Sequence, residues 1–223
     1  MKNVLTNFYK GILAGLAIGL GGFLYVIMIH FIPGELGKFL GSILFAVGLF
    51  LVCTFYLSLY TGKIGLIYEE KKDKDYYISL PVMLIGNAIG AFGLGYICYF
   101  IFRNTEVMNT VIDRVCVPRT TLNSFNNYLD CMVKSFLCGL CVYLAVKSFG
   151  LDRLKPLGII LLVFFVFTFV YSGFQHCIAN MFYFGFGNHI NGYTFINLAL
   201  CILFNSFGPV VGVFLFKLFN KQQ

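Results

Sequence analysis

The stretch Val170–Phe184, "VYSGFQHCIANMFYF", sets an imidazole, His176, inside a long apolar run, with Gln175 before it and Asn180 after it. A histidine in such surroundings lowers stability unless it meets water, a partner group or a passing ligand. Its proton comes and goes near neutral pH, so the chemistry within its reach is proton transfer or hydrogen bonding to something small. The alternative is structural: the ring bonds a backbone group freed where a helix is interrupted.

Other residue types could do chemistry elsewhere. Cys138 and Cys141 form CGLC, but inside an apolar segment they read as small hydrophobes rather than as a redox or zinc motif. Of the eight cysteines only Cys116 falls in a clear loop. There is no HExxH and no GxSG to pair with His176, so hydrolase and metalloprotease readings have no support, and no enzyme, metal or cofactor is expected. The competing reading is a haem-binding or other intramembrane redox protein. Haem would want paired histidines on facing helices at matched depth. His30 and His189 fall near span ends, and His176 stands alone within its span.

The elements that must position these residues are membrane spans. The chain is 59% hydrophobic and 11% charged, whereas soluble chains carry about a quarter charged residues. Apolar segments at 11–32, 39–67, 78–102, 127–149, 156–184 and 194–216 each reach the roughly 20 residues a bilayer needs. Together they predict a single transmembrane domain over 1–223, with no soluble domain and no cleavable signal peptide. The second and fifth segments exceed one simple helix and carry polar or small residues midway, "LSLYTGKIG" and "YSGFQHCIAN", which predicts a break in each. The segment 103–126 is the one long polar connection, and "EEKKDKD" reads as a solvated turn.

The net charge of +7 would raise nucleic acid as a partner in a soluble chain. Here most basic residues lie at span ends, so topology accounts for them and no nucleic acid is expected. Lys2, Lys10, the "EEKKDKD" lysines, Lys147, Arg153, Lys155, Lys217 and Lys221 fall on one side; Lys38, Arg103, Arg114 and Arg119 fall on the other. That asymmetry places both termini in the cytoplasm of a multi-pass cell-membrane protein. Lys63 and Lys134 remain inside spans. Lys63 is read as snorkelling to the interface.

Gly11, Gly15 and Gly19 share one face of the first span, and Gly86 and Gly90 repeat the device in the third, where small residues let helices approach closely. The two halves also share a plan. Each has an overlong, interrupted middle span, and each third span carries Asn with Gly three residues on: Asn87 and Gly90, Asn205 and Gly208. Three spans per copy would invert the second copy in the membrane, an arrangement found in transporters.

In order along the chain, these motifs resemble the formate/nitrite transporter family of formate, nitrite and hydrosulfide channels. "SGFQHCIANMFYF" is similar to that family's Ser-Gly-Phe-Glu-His followed by Ile-Ala-Asn-Met; "LYTG" at 59–62, "GNAIGA" at 86–91, "FLCGLCVYLAV" at 136–146 and "NSFG" at 205–208 are similar to the second-, third-, fourth- and sixth-span motifs. The resemblance implies an all-α membrane protein of six transmembrane helices in an aquaporin-like inverted 3+3 repeat. It also implies a homopentamer in membrane lipid with one pore per protomer, passing small inorganic or one-carbon anions of weak acids. By position, His176 matches the central pore histidine, Thr61 the hydroxyl opposite it and Asn205 a pore asparagine. Phe45, Leu49, Leu59, Tyr60 and Phe169 match the ring of apolar constriction residues, with Tyr60 where Phe is usual.

Three further positions depart from the pattern. Gln175 stands where Glu is usual, Gly139 where Asn is frequent, and Asn123 where a vestibule Lys is usual. Lys134 is the candidate substitute for that lysine. A bare anion in an apolar constriction costs several kcal/mol, whereas the neutral acid crosses more cheaply. His176 would therefore assist by donating either a proton or a strong hydrogen bond.

Overall fold

The structure is a computed structural model that describes residues 2–151 and 156–220. Arg153, Lys155 and Lys221, which count toward the charge asymmetry, lie outside the described residues. All the regular secondary structure in the described residues is helical. Five helical stretches are long and apolar enough to cross a bilayer: Val4–Phe31, Glu35–Thr54, Lys74–Phe102, Phe125–Phe149 and Gly192–Leu218. The apolar run 156–184 forms two shorter helices, Leu157–Tyr171 and Cys177–Phe186.

We number the helices α1 (Lys2–Phe31), α2 (Glu35–Thr54), α3 (Tyr60–Lys63), α4 (Leu66–Glu69), α5 (Lys74–Phe102), α6 (Glu106–Val111), α7 (Val117–Thr120), α8 (Phe125–Phe149), α9 (Leu157–Tyr171), α10 (Cys177–Phe186), α11 (Gly192–Phe207) and α12 (Pro209–Asn220). Both expected interruptions are present: residues 55–59 separate α2 from α3, and residues 172–176 separate α9 from α10. Each break turns on a residue in the left-handed region, Tyr56 at φ 51° and Gly173 at φ 71°. That conformation is free for glycine and strained for tyrosine. The chain then folds back in the same way twice, with Leu57 N–H on Val52 O at 2.9 Å and Phe174 N–H on Phe169 O at 2.8 Å.

The glycine stripes do what their spacing predicts. A Cβ on Gly15 would fall 2.2 Å from the Asn87 carbonyl oxygen, and one on Gly90 would fall 2.1 Å from that of Ile12, so α1 and α5 cross backbone to backbone. The same crossing joins α8 to α11. A Cβ on Gly139 would lie 2.2 Å from Asn205 O, and one on Gly208 would lie 2.2 Å from Phe136 O. Gly139 is therefore a contact point between helices, and the asparagine that the family often carries there would not fit.

The segment 103–126 differs from the expected polar connection. It folds as α6, a π-helical turn at Ile112–Cys116, and α7. Val107, Val111 and Val115 are buried, and Cys116 is buried too rather than lying free in a loop. The valines recur every four residues, a helical face that the surrounding polar residues masked in the sequence. In the "EEKKDKD" stretch, Asp73 caps α5 by accepting from Tyr76 N–H at 2.8 Å, and Lys72 pairs with Glu70.

Candidate functional site at the paired helix breaks

Two asparagines hold the breaks. Asn87 on α5 accepts the Tyr60 N–H at 2.8 Å and donates to Gly11 O at 2.8 Å and Ser58 O at 2.9 Å. Asn205 on α11 accepts the Cys177 N–H at 2.9 Å and donates to Ser135 O at 2.7 Å and Gln175 O at 2.9 Å. Backbone at this depth has no water to satisfy it, so these amides supply what the interrupted helices lost. All of the Asn205 bonds go to backbone.

The breaks place the first residues of α3 and α10 against each other. His176 is the N-cap of α10: its Nδ1 accepts the Ala179 N–H at 3.2 Å. A ring nitrogen that accepts carries no proton, so the proton of the neutral imidazole sits on Nε2. Nε2 lies 2.8 Å from Thr61 Oγ1, and its N–H donates to that oxygen. Both side chains are buried.

Apolar side chains close the space on either side. Phe45 and Phe169 meet edge to face, 5.7 Å between ring centroids, and Phe169 lies over the His176 ring at 6.0 Å. Leu49 is buried in the same cluster. Phe45, Phe169 and His176 form part of the wall of one cavity of about 250 Å³, which opens toward α7 and the start of α8. Leu59 instead lines a cavity of about 350 Å³ at the opposite end of the bundle, beside Lys63 and Cys53. A further cavity of about 430 Å³ at that end is lined by Lys10, Lys63, Asp73 and Asp75. Tyr60 stands apart from the other constriction candidates. It packs with Ile64, Leu80 and Met83, and its hydroxyl lies 2.8 Å from Ser206 Oγ.

The His176 cavity is electropositive. Lys38, Arg114, Arg119 and Lys134 line it, against Asp130 alone among the acidic residues lining it. Lys134 pairs with Asp130 at 2.7 Å, so one of the four cations is partly neutralised. Arg119 reaches inward: its Nε donates to Asn180 Oδ1 at 2.9 Å, and its guanidinium lies over the Tyr183 ring at 4.9 Å.

Asn197 was not singled out from sequence; Asn180 was noted there only as a neighbour of His176, and Lys10 only for its charge. A signal for Lys10 existed. Its carbonyl accepts the Ser58 N–H in the first break at 3.4 Å, as the Lys134 carbonyl accepts the Gln175 N–H in the second at 3.4 Å. Each lysine directly precedes the residue whose carbonyl the asparagine holds, Gly11 in one half and Ser135 in the other. The other two histidines are engaged far from His176. His30 Nδ1 lies 2.9 Å from Thr110 Oγ1 and His189 Nε2 lies 3.0 Å from Thr120 Oγ1, so no facing pair offers itself to a haem. Among the described residues no group of three His, Cys, Asp or Glu side chains is arranged to hold a metal ion.

Comparison with known proteins gives a consistent result. The family model described as formate/nitrite transporter matches residues 1–220. The chain is 32% identical over 183 residues to the uncharacterized transporter YrhG of Bacillus subtilis (strain 168), across 77% of this chain and 67% of that protein. Among solved structures it is similar to a pentameric formate channel with formate bound, with a TM-score of 0.79 and 24% identity over 100% of this chain and 99% of the other. It is also similar to an FNT family ion channel, with a TM-score of 0.77 and 21% identity over 96% of this chain and 88% of the other. At those identities the structural likeness establishes the fold.

Proposed function

Since the chain belongs to the formate/nitrite transporter family, we propose that it conducts small monovalent anions of weak acids, with formate, nitrite and hydrosulfide as the candidates. The observation that carries this reading is the His176 Nε2–H held on Thr61 Oγ1 at 2.8 Å, beside the cavity that Phe45 and Phe169 close. In this reading the chain is one transmembrane domain over 1–223, with six spans in an inverted 3+3 repeat. The matching bonds of Asn87 and Asn205 support the repeat. It assembles as a pentamer in the cell membrane, as the similar formate channel does, with both termini cytoplasmic.

The route begins in the outer cavity, where the basic side chains concentrate anions. The anion then meets His176. A ring with protons on both nitrogens would set its Nδ1–H against the Ala179 N–H, donor against donor. A neutral ring that gave away its Nε2 proton would become an imidazolate, far too basic to form. The capped geometry therefore supports the hydrogen-bond route: the anion replaces Thr61 as acceptor of the Nε2–H. Thr61 makes no other hydrogen bond among the described residues, so its hydroxyl is free to donate as well. Phe45, Leu49 and Phe169 form the outer constriction and Leu59 the inner one. Both favour the neutral acid over the bare anion; the proton is drawn from the bulk solution, relayed through water in the cavities, and crosses with the anion as the acid. Tyr60 and Asn205 act as positioning residues: Tyr60 anchors α3 to α11, and Asn205 holds the break that presents His176.

The test is uptake into proteoliposomes of formate, nitrite and hydrosulfide across pH, for the wild type and His176→Asn. Asparagine keeps an N-cap acceptor for α10 but is too short to reach Thr61. The expected result is uptake by the wild type and loss of selectivity or pH response in the variant. An unchanged profile removes His176 from the mechanism, and a wild type that passes none of the three ends the channel reading.

A further inference from the structure

The amide of Gln175, the residue before the pore histidine, has its orientation dictated from a distance. A guanidinium only donates, so Asn180 presents its Oδ1 to Arg119 Nε. The Asn180 amide nitrogen is thereby turned inward and donates to Gln175 Oε1 at 3.1 Å. A second chain of bonds agrees. The Arg119 carbonyl only accepts, so Asn197 turns its Nδ2 toward it at 2.9 Å, and the same nitrogen donates to Gln175 Oε1 at 2.7 Å. Two donors thus fix the oxygen of Gln175, and its nitrogen must point the other way.

That nitrogen donates to no protein acceptor among the described residues. Gln175 is 6% exposed, yet no sealed side-chain nitrogen or oxygen in the described residues lacks a partner, so the free nitrogen reaches open space. Gln175 lines both the His176 cavity and a neighbouring one of about 270 Å³ beside Arg119.

We infer that the Gln175 amide is a second donor to the anion, presented next to His176 at the floor of the outer cavity; this rests on the channel reading above. A buried –NH2 with both of its hydrogens unclaimed and a cationic network behind it suits a carboxylate or nitrite oxygen. Glutamate at this position would accept the same two bonds from Asn180 and Asn197. It would, however, turn a charged acceptor toward the cavity, repelling what Gln175 attracts. Gln175→Glu is therefore the discriminating variant, because it is matched in size and keeps the bonds that hold the break.

The chain has three glutamines, Gln175, Gln222 and Gln223, so protein labelled with 15N only at glutamine yields a simple side-chain amide spectrum. On titration with sodium formate, the resonance pair missing from Gln175→Glu should shift and saturate. In proteoliposomes, Gln175→Glu should take up formate about tenfold more slowly than the wild type, near the lower end of what one charge-assisted hydrogen bond contributes. A Gln175 resonance indifferent to formate, or uptake equal to wild type, overturns the inference. A wild type that shifts the Gln175 resonance but takes up no formate sinks the channel reading instead, and the resonance then decides the inference alone. That resonance measurement is made on the wild type, so it stands whether or not the variant folds.

Discussion

Asn87 and Asn205 make the same three bonds at opposite breaks: each accepts the N–H that opens a short helix, and each donates to the carbonyl two residues earlier and to one on a neighbouring long helix. Neither side chain has a hydrogen-bond donor to spare for the cavities. Their shared geometry makes the breaks a built feature, with the two interruptions braced by one device used twice.

Asn205→Ala strips the Cys177 N–H and the Gln175 carbonyl of their partner, and the Ser135 carbonyl, inside α8, of its second donor. The expected loss is about 3 kcal/mol, since each orphaned buried group costs about 1–3 kcal/mol. A melting curve in detergent reads this directly. A midpoint equal to wild type would mean that the carbonyls find other donors.

Gly139→Ala should destabilise by about 1–3 kcal/mol, because the new Cβ falls 2.2 Å from a backbone oxygen that cannot move aside. Gly93 supplies the contrast. Nothing lies within 4 Å of a Cβ there, so Gly93→Ala should be neutral or stabilising by up to about 1 kcal/mol through helix propensity alone. Equal melting points for the two variants would show that α8 and α11 are not held at this distance.

Lys134→Met leaves Asp130 unpaired in the His176 cavity, and Asp130→Asn leaves Lys134 unpaired. Anion entry should slow about two- to tenfold in the first variant and quicken in the second, with both effects fading in high salt as the Debye length shrinks to about 3 Å. Stopped-flow uptake at two ionic strengths checks the order. If entry is the same in Lys134→Met as in the wild type, Lys134 has no part in the vestibule.

Cys116, in the segment between α6 and α7, should resist alkylation at pH 8. Its thiol is fully buried and donates to Tyr183 O at 3.2 Å. Burial pushes its pKa up to about 12, with the Arg119 charge pulling modestly the other way. Since the thiolate is the reactive form, modification should rise only toward strongly alkaline pH. Mass spectrometry after maleimide treatment would show Cys53, which is partly exposed and lines an open cavity, reacting first. Ready labelling of Cys116 at pH 8 would show that this segment opens in solution.

Much of this molecule was legible in one dimension. Hydropathy sets the apolar stretches, because a bilayer demands length and lack of charge whatever the fold. The four-residue glycine spacing announced close helix contacts, and "LYTG" and "SGFQHC" announced breaks, since small and polar residues interrupt a run that lipid would otherwise keep continuous. What the tertiary structure alone decided is distance and the direction of each bond. Thr61 and His176 stand 115 positions apart in the chain; the family resemblance set the hydroxyl opposite the histidine, and only the fold brings them to 2.8 Å. The direction of the His176 proton follows from the Ala179 N–H, and the free nitrogen of Gln175 from Arg119 through two asparagines. A donor–acceptor chain carries orientation only once its members touch. The contacts of Tyr60, its ring packed with Leu80 and Met83 and its hydroxyl 2.8 Å from Ser206 Oγ, are likewise set only by the packing of α3, α5 and α11.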